Sequence, residues 1–148
     1  MAKALETRPV KPEDLRALDG VLGNEGGEAQ GAFPSLAVCV CPPGALIVSE
    51  SQAGMEVYVV LKGEVSVRRS RWVVFQKELA RLKAGDIFGE INFLMPTARS
   101  ASVVAVGHCE VLRIAAKDFK DYLDARPKLR ARIEELARQR LYAGAPAA

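Results

Sequence analysis

Glu90 and Arg99 stand nine positions apart, in a segment whose residue types suit a small phosphorylated ligand. Arg99 supplies a planar, permanently charged fork able to grip two phosphate oxygens at once. Gly85 and Gly89 let the backbone approach a ligand closely, because neither has a Cβ to obstruct it. Glu90 to Leu94 has room for one helical turn, which the Met95-Pro96 step stops. Free N–H groups at Gly89 to Ile91 would then point outward, as they do at any helix start, and attract an anion.

The residues Gly85, Asp86, Phe88, Gly89 and Glu90, followed by Arg99, Ser100, Ala101, Ser102 and Val103, form a second level of signal. The segment resembles the phosphate-binding cassette of the cyclic nucleotide-binding domain family, which reads G-D-x-F-G-E and then, after a short loop, R-[S/T/A]-A-[S/T]-V. The resemblance implies a ligand, cAMP or cGMP, held by Phe88, Gly89, Glu90, Ile91, Arg99, Ser100, Ala101 and Ser102. The cyclic phosphate would lie between Arg99 and the N–H groups of Gly89 to Ile91 and Ser100 to Ala101. Glu90 would accept a hydrogen bond from the ribose 2′-hydroxyl. Ser100 would meet the phosphate or the purine edge, and it leaves the choice of base open. The alternative is a ligand-free jelly roll serving interaction or dimerisation, with Glu90 and Arg99 a surface ion pair worth at most about 1 kcal/mol.

Short strands must position this segment. Those expected are Leu36–Cys41, Ala45–Val48, Glu56–Leu61, Glu64–Arg68, Trp72–Lys77, Ala101–Val106 and Cys109–Ile114, rich in valine and punctuated by Pro42-Pro43-Gly44, Lys62-Gly63 and Gly107-His108. Many short strands with close turns favour a sandwich or barrel over a doubly wound sheet. The family pattern G-x-x-I…E-G…Y-x-V-x-x-G is similar to Gly44, Ile47, Glu50, Tyr58, Val60 and Gly63, with Ser51 replacing one glycine. The fold class expected is mainly β with flanking helices: an antiparallel β jelly-roll barrel, a short cassette helix and C-terminal helices.

Before the barrel, Pro12 suits a first helical position, Glu13 and Asp14 suit its positive end, and Leu15, Leu18 and Leu22 recur at helical spacing up to Gly23. A glycine-rich loop follows, without the lysine of a P-loop. After the barrel, Ala116 to Ala125 and a helix from Pro127 are expected, the second carrying an apolar stripe of Leu129, Ile133, Leu136, Ala137 and Leu141. The chain thus divides into 1–35 (helix and loop), 36–115 (barrel) and 116–148 (helices and tail). The resemblance implies that the last helix moves towards the barrel on binding and often makes a dimer contact. Leu141 or Tyr142 would be its lid over the purine, although Leu141 equally fits the stripe.

With 148 residues, the chain is long enough for one independent core. The longest apolar run is strand-length and no leader pattern opens the chain, so no membrane contact is expected. Cys39, Cys41 and Cys109 fit a reducing, cytoplasmic setting and the role of small buried hydrophobes. With His108 the single histidine and no C-x-x-C pair, neither a zinc site nor a catalytic set can be assembled. No metal or cofactor and no enzymatic activity are therefore expected. Arg68, Arg69 and Arg71 are expected in one loop, and further arginines crowd the C-terminal segment, although the net charge is only +3. Bacterial relatives in this family carry a helix-turn-helix after the long helix, whereas only a short tail follows here, so no DNA contact by that route is expected. The partners expected are a cyclic nucleotide and either a second copy of the chain or another protein.

Overall fold

Val57-Tyr58-Val59-Val60 is apolar at every position, the mark of a strand buried on both faces. The computed structural model describes residues 5–23, 33, 35–49, 56–71, 75–89 and 101–142, and places this stretch inside a two-layered β structure backed by helices. The strands are β1 (Glu6–Arg8), β2 (Leu36–Cys41), β3 (Leu46–Val48), β4 (Glu56–Lys62), β5 (Glu64–Arg71), β6 (Phe75–Lys83), β7 (Ile87–Phe88), β8 (Ser102–Ala105) and β9 (Cys109–Ala115). The helices are α1 (Pro12–Leu22), α2 (Ala116–Asp124) and α3 (Pro127–Tyr142). One sheet has the order β1-β2-β9-β4-β7 and the other β3-β8-β5-β6. Every pairing is antiparallel, giving the jelly roll with flanking helices that the sequence leads one to expect.

Alternation along β4 sorts its side chains into two cores. Tyr58 and Val60 point between the sheets, where they meet Val65, Val67, Phe88, Val103 and Val111. Val57 and Val59 point the other way, onto Leu18, Phe119, Leu123 and Ile133 of the helices. Burying a side chain of this kind contributes about 1.5–3 kcal/mol, so both faces of the five-stranded sheet hold the fold together. The apolar stripe of α3 does what its spacing requires: Leu129, Ile133 and Ala137 are buried and Leu136 packs at the margin.

Four features differ from the sequence-based expectation, one of them the two-residue strand β7, which was not expected. β1 is an addition, fastened by Arg8, which donates to Asp14 at 2.8 and 3.0 Å and to Glu110 at 2.8 and 2.5 Å. At three residues it is too short to carry a periodic signal. The strand expected at Trp72–Lys77 is instead β6, Phe75–Lys83, and the reason is a register shift. Val67 faces Ala80 whereas Arg68 faces Glu78, so Leu79 is an extra residue that breaks the alternation. Arg68, Arg69 and Arg71 consequently belong to β5, paired with β6, and not to a loop.

Candidate functional site

The cassette begins at a turn bolted to β4 of the five-stranded sheet. Asp86 N–H donates to the Lys83 carbonyl at 2.9 Å, closing a four-residue turn with Gly85 at its third position and φ of 95°. A positive φ at the third position is what a type II turn requires, and glycine takes it without strain. The Asp86 carboxylate accepts from Lys83 N–H at 2.9 Å and so closes the turn a second time through its side chain. Gly85 N–H donates to the Val60 carbonyl, and Val60 N–H to the Asp86 carbonyl, both at 2.9 Å. The turn is therefore an extension of the sheet and cannot drift from β4.

β7 follows directly, and its two residues part company. Ile87 packs into the helix-side core, while Phe88 enters the barrel and stacks on Tyr58, with ring centroids 4.9 Å apart and planes 11° apart. Stacked rings in this arrangement add about 0.5–1.5 kcal/mol beyond the area they bury. Gly89 is buried and has a φ of 91°, so the backbone changes direction at the point where the anion-binding N–H groups are expected. On the far side, Ala101 and Ser102 are buried at the start of β8, and Ala101 shares the barrel core with Phe88. β7 belongs to one sheet and β8 to the other, so the segment between them starts on one layer and finishes on the other.

Of the expected site residues, Phe88, Gly89, Ala101 and Ser102 are thus placed at the two ends of the cassette. Glu90, Ile91, Arg99 and Ser100 lie outside the described residues, as does the expected cassette helix from Glu90 to Leu94. Leu141 and Tyr142 are the last two residues of α3, and the positions of their side chains fall outside the description. The sequence marks Phe88 as a site residue and Tyr58 as part of the family's strand pattern, but it does not show that the two stack. Tyr58 was visible as an aromatic residue interrupting a run of valines.

Behind the cassette turn lies a groove of about 480 Å³. Gly85, Asp86 and Ile87 form one wall, Gly20 and Val21 of α1 another, and Arg132, Ile133, Leu136 and Gln139 of α3 the third. The C-terminal helix and the cassette turn therefore border the same space.

Cys39, Cys41 and Cys109 are free and buried. Burial pushes the Cys39 thiol above its ordinary range, and a hydrogen bond with Cys109, reinforced by burial, does the same to Cys41. His108 is exposed in the turn before β9. Among the described residues no group of three or more His, Cys, Asp or Glu side chains is arranged to hold a metal ion. No helix among them is long and apolar enough to cross a membrane.

Residues 38–126 match the family model described as the cyclic nucleotide-binding domain. The chain is 34% identical over 99 residues to the Pycsar effector protein PaPycTIR of Pseudomonas aeruginosa, covering 66% of this chain and 30% of that protein. It is 31% identical over 100 residues to the cyclic AMP receptor protein of Thermus thermophilus, covering 68% of this chain and 46% of that one. The crystal structure of the Thermus thermophilus catabolite activator protein superposes with a TM-score of 0.69 at 26% identity, over 87% of this chain and 55% of that chain. The chain spans less than half the length of these two curated relatives.

Proposed function

Since this chain belongs to the cyclic nucleotide-binding domain family, a family of binding and not catalytic domains, we propose that it is a sensor module for cAMP or cGMP. The observation that carries this reading is the way both ends of the cassette are fixed. The Phe88–Gly89 end is hydrogen-bonded and stacked against β4, and the Ala101–Ser102 end is buried at β8. Anchored ends favour a preset loop, which lowers the ordering cost that ligand binding would otherwise incur.

In this proposal the ligand phosphate is held by Arg99 and by backbone N–H groups from Gly89 to Ile91 and from Ser100 to Ala101. Glu90 takes the ribose 2′-hydroxyl, while Phe88 and Ser102 support the two ends. A carboxylate so close to a phosphate would repel it, which is why Glu90 is assigned to the hydroxyl and Arg99 to the charge. Residues 36–115 act as the receiver and 116–148 as the output, with Leu141 or Tyr142 closing over the purine. The groove shared by α3 and the Gly85–Ile87 turn supports that route from ligand to helix. A second copy of the chain or a partner protein then reads the change.

Isothermal calorimetry with cAMP and cGMP on wild type and Arg99→Ala tests this directly. Losing a desolvated, charge-assisted contact should cost about 2–5 kcal/mol, or roughly 30- to several-thousand-fold in affinity. Equal affinities of the two proteins for both nucleotides would remove the assignment. No heat with either nucleotide in the wild type would leave the ligand-free interaction module.

A further inference from the structure

Several basic side chains of α2, α3 and the junction between them differ in whether a carboxylate meets them. Lys120 meets Asp124 at 2.8 Å, Arg130 is paired with Asp124 and with Glu134, and Arg138 meets Glu135 at 3.0 Å. Arg126, Lys128 and Arg132 have no carboxylate partner among the described residues. These three surround a groove of about 760 Å³ where the end of α1 meets the α2–α3 junction, and its floor is Leu22, Pro127 and Leu129.

Two of the three cations are already held in place. The Arg126 guanidinium lies over the Tyr122 ring, 3.7 Å from its centroid, and donates to the Tyr122 carbonyl at 3.2 Å. Arg132 donates to the Val21 carbonyl at 3.2 Å, and a Cβ at Gly23 would meet its Nη1 at 2.8 Å. A guanidinium has five N–H donors, so each arginine keeps donors in hand after its orientation is set. Lys128 is exposed and makes no such contact.

We propose that this groove is a docking site for an acidic segment of a partner protein. Carboxylates would pair with Arg126, Lys128 and Arg132, and an apolar side chain would sit on Leu22, Pro127 and Leu129. Charge complementarity selects the occupant: three cations with no carboxylate partner among the described residues, set around an apolar floor, fit acidic residues flanking an apolar one. A nucleic acid is disfavoured, because three cations gathered at one hollow form no stripe for a phosphate backbone to follow. The inference stands whether or not a nucleotide occupies the cassette.

Fluorescence anisotropy of a short labelled peptide of alternating glutamate and leucine, titrated with the full chain, tests it. The wild type should bind, more weakly as salt is raised. Lys128→Glu should weaken binding about tenfold, by losing one attraction and adding a repulsion. That change places an acid in the first turn of α3, where the helix dipole favours it, so lost binding would not be a folding defect. Lys77→Glu, a matched charge reversal on exposed β6, should bind like the wild type. The proposal falls if the wild type does not bind, or if both variants lose affinity equally. It falls too if a single-stranded oligonucleotide or phosphatidylserine vesicles bind more tightly than the peptide with the same dependence on Lys128.

Discussion

The five-stranded sheet is covered on both faces, by the barrel interior on one side and by helices on the other, whereas the four-stranded sheet turns one face to water. On the covered sheet, β4 reads Val57-Tyr58-Val59-Val60 without interruption and all four residues are buried. On the open sheet, Val65 and Val67 point inward, whereas Ser66, Arg68, Glu78 and Arg81 form a polar network on the other face. The cassette turn is hung on the covered sheet through Val60, and β7 belongs to it. The cassette turn is thus attached to the layer against which the helices pack, whereas the far end of the cassette joins β8 of the layer facing solvent.

The largest effect separating the layers should come from deleting side-chain volume. Leu112→Ala in β9 empties the helix-side core and should cost about 2–5 kcal/mol in urea denaturation. Val104→Ala, at the half-buried position of β8, should cost less than about 1.5 kcal/mol, because fewer methyl groups leave a dry environment. Equal costs would mean that the two layers are not differently packed.

A smaller effect is expected at the clasp that ties β1 to the covered sheet. Arg8 and Asp14 have side chains only 17% and 4% exposed, so Arg8→Ala takes the charged partner from a buried carboxylate, leaving it the Lys11 N–H, and should cost about 1.5–3 kcal/mol. The hydrogen bond from Arg8 holds the Asp14 carboxyl below its ordinary value, against the opposing pull of burial. A depressed carboxylate pKa contributes stability that is complete above the unfolded value of about 3.9 and is lost as pH falls through the folded one. The gap between wild type and variant should therefore be constant above about pH 5 and close progressively below about pH 4. A gap that stays open at low pH would show that the clasp acts through packing alone.

The smallest effect belongs to the solvent-facing network. Arg81 bridges Glu78 and Glu64, but its side chain is 53% exposed. Exposed pairs of this kind are screened by water and salt. Arg81→Ala should leave the urea midpoint unchanged, and a clear loss of stability would mean that the open face contributes more than its exposure suggests.

The same contrast decided what could be read in the sequence. β2 and β4 were legible because strands buried on both faces are unbroken apolar runs, and β9 because Val111, Leu112 and Ile114 follow the Gly107-His108 turn. The helices were legible from Pro12, Pro127 and the spacing of leucines. β6 was misplaced because Leu79 sits at the register shift and spoils the period of two. β1 and β7, at three and two residues, are defined by partners distant in the chain, and no local pattern announces such strands. At the site, Gly85, Asp86 and Gly89 were legible because glycines at positive φ and a turn-closing aspartate leave marks at fixed spacing. The stacking of Phe88 on Tyr58 was not, since the two residues are far apart in sequence and meet only through sheet register.

The brevity of β7 limits how the cassette entrance can move. Ile87 and Phe88 are consecutive, but they belong to different cores and differ in shape. Sliding the strand by one position would exchange them, driving a ring among the helices and a branched aliphatic chain onto Tyr58. Translation is in effect locked, as by a key cut differently on its two edges. Rotation about the strand axis is the freedom that remains, and it presses one edge into the helices as it withdraws the other from the barrel.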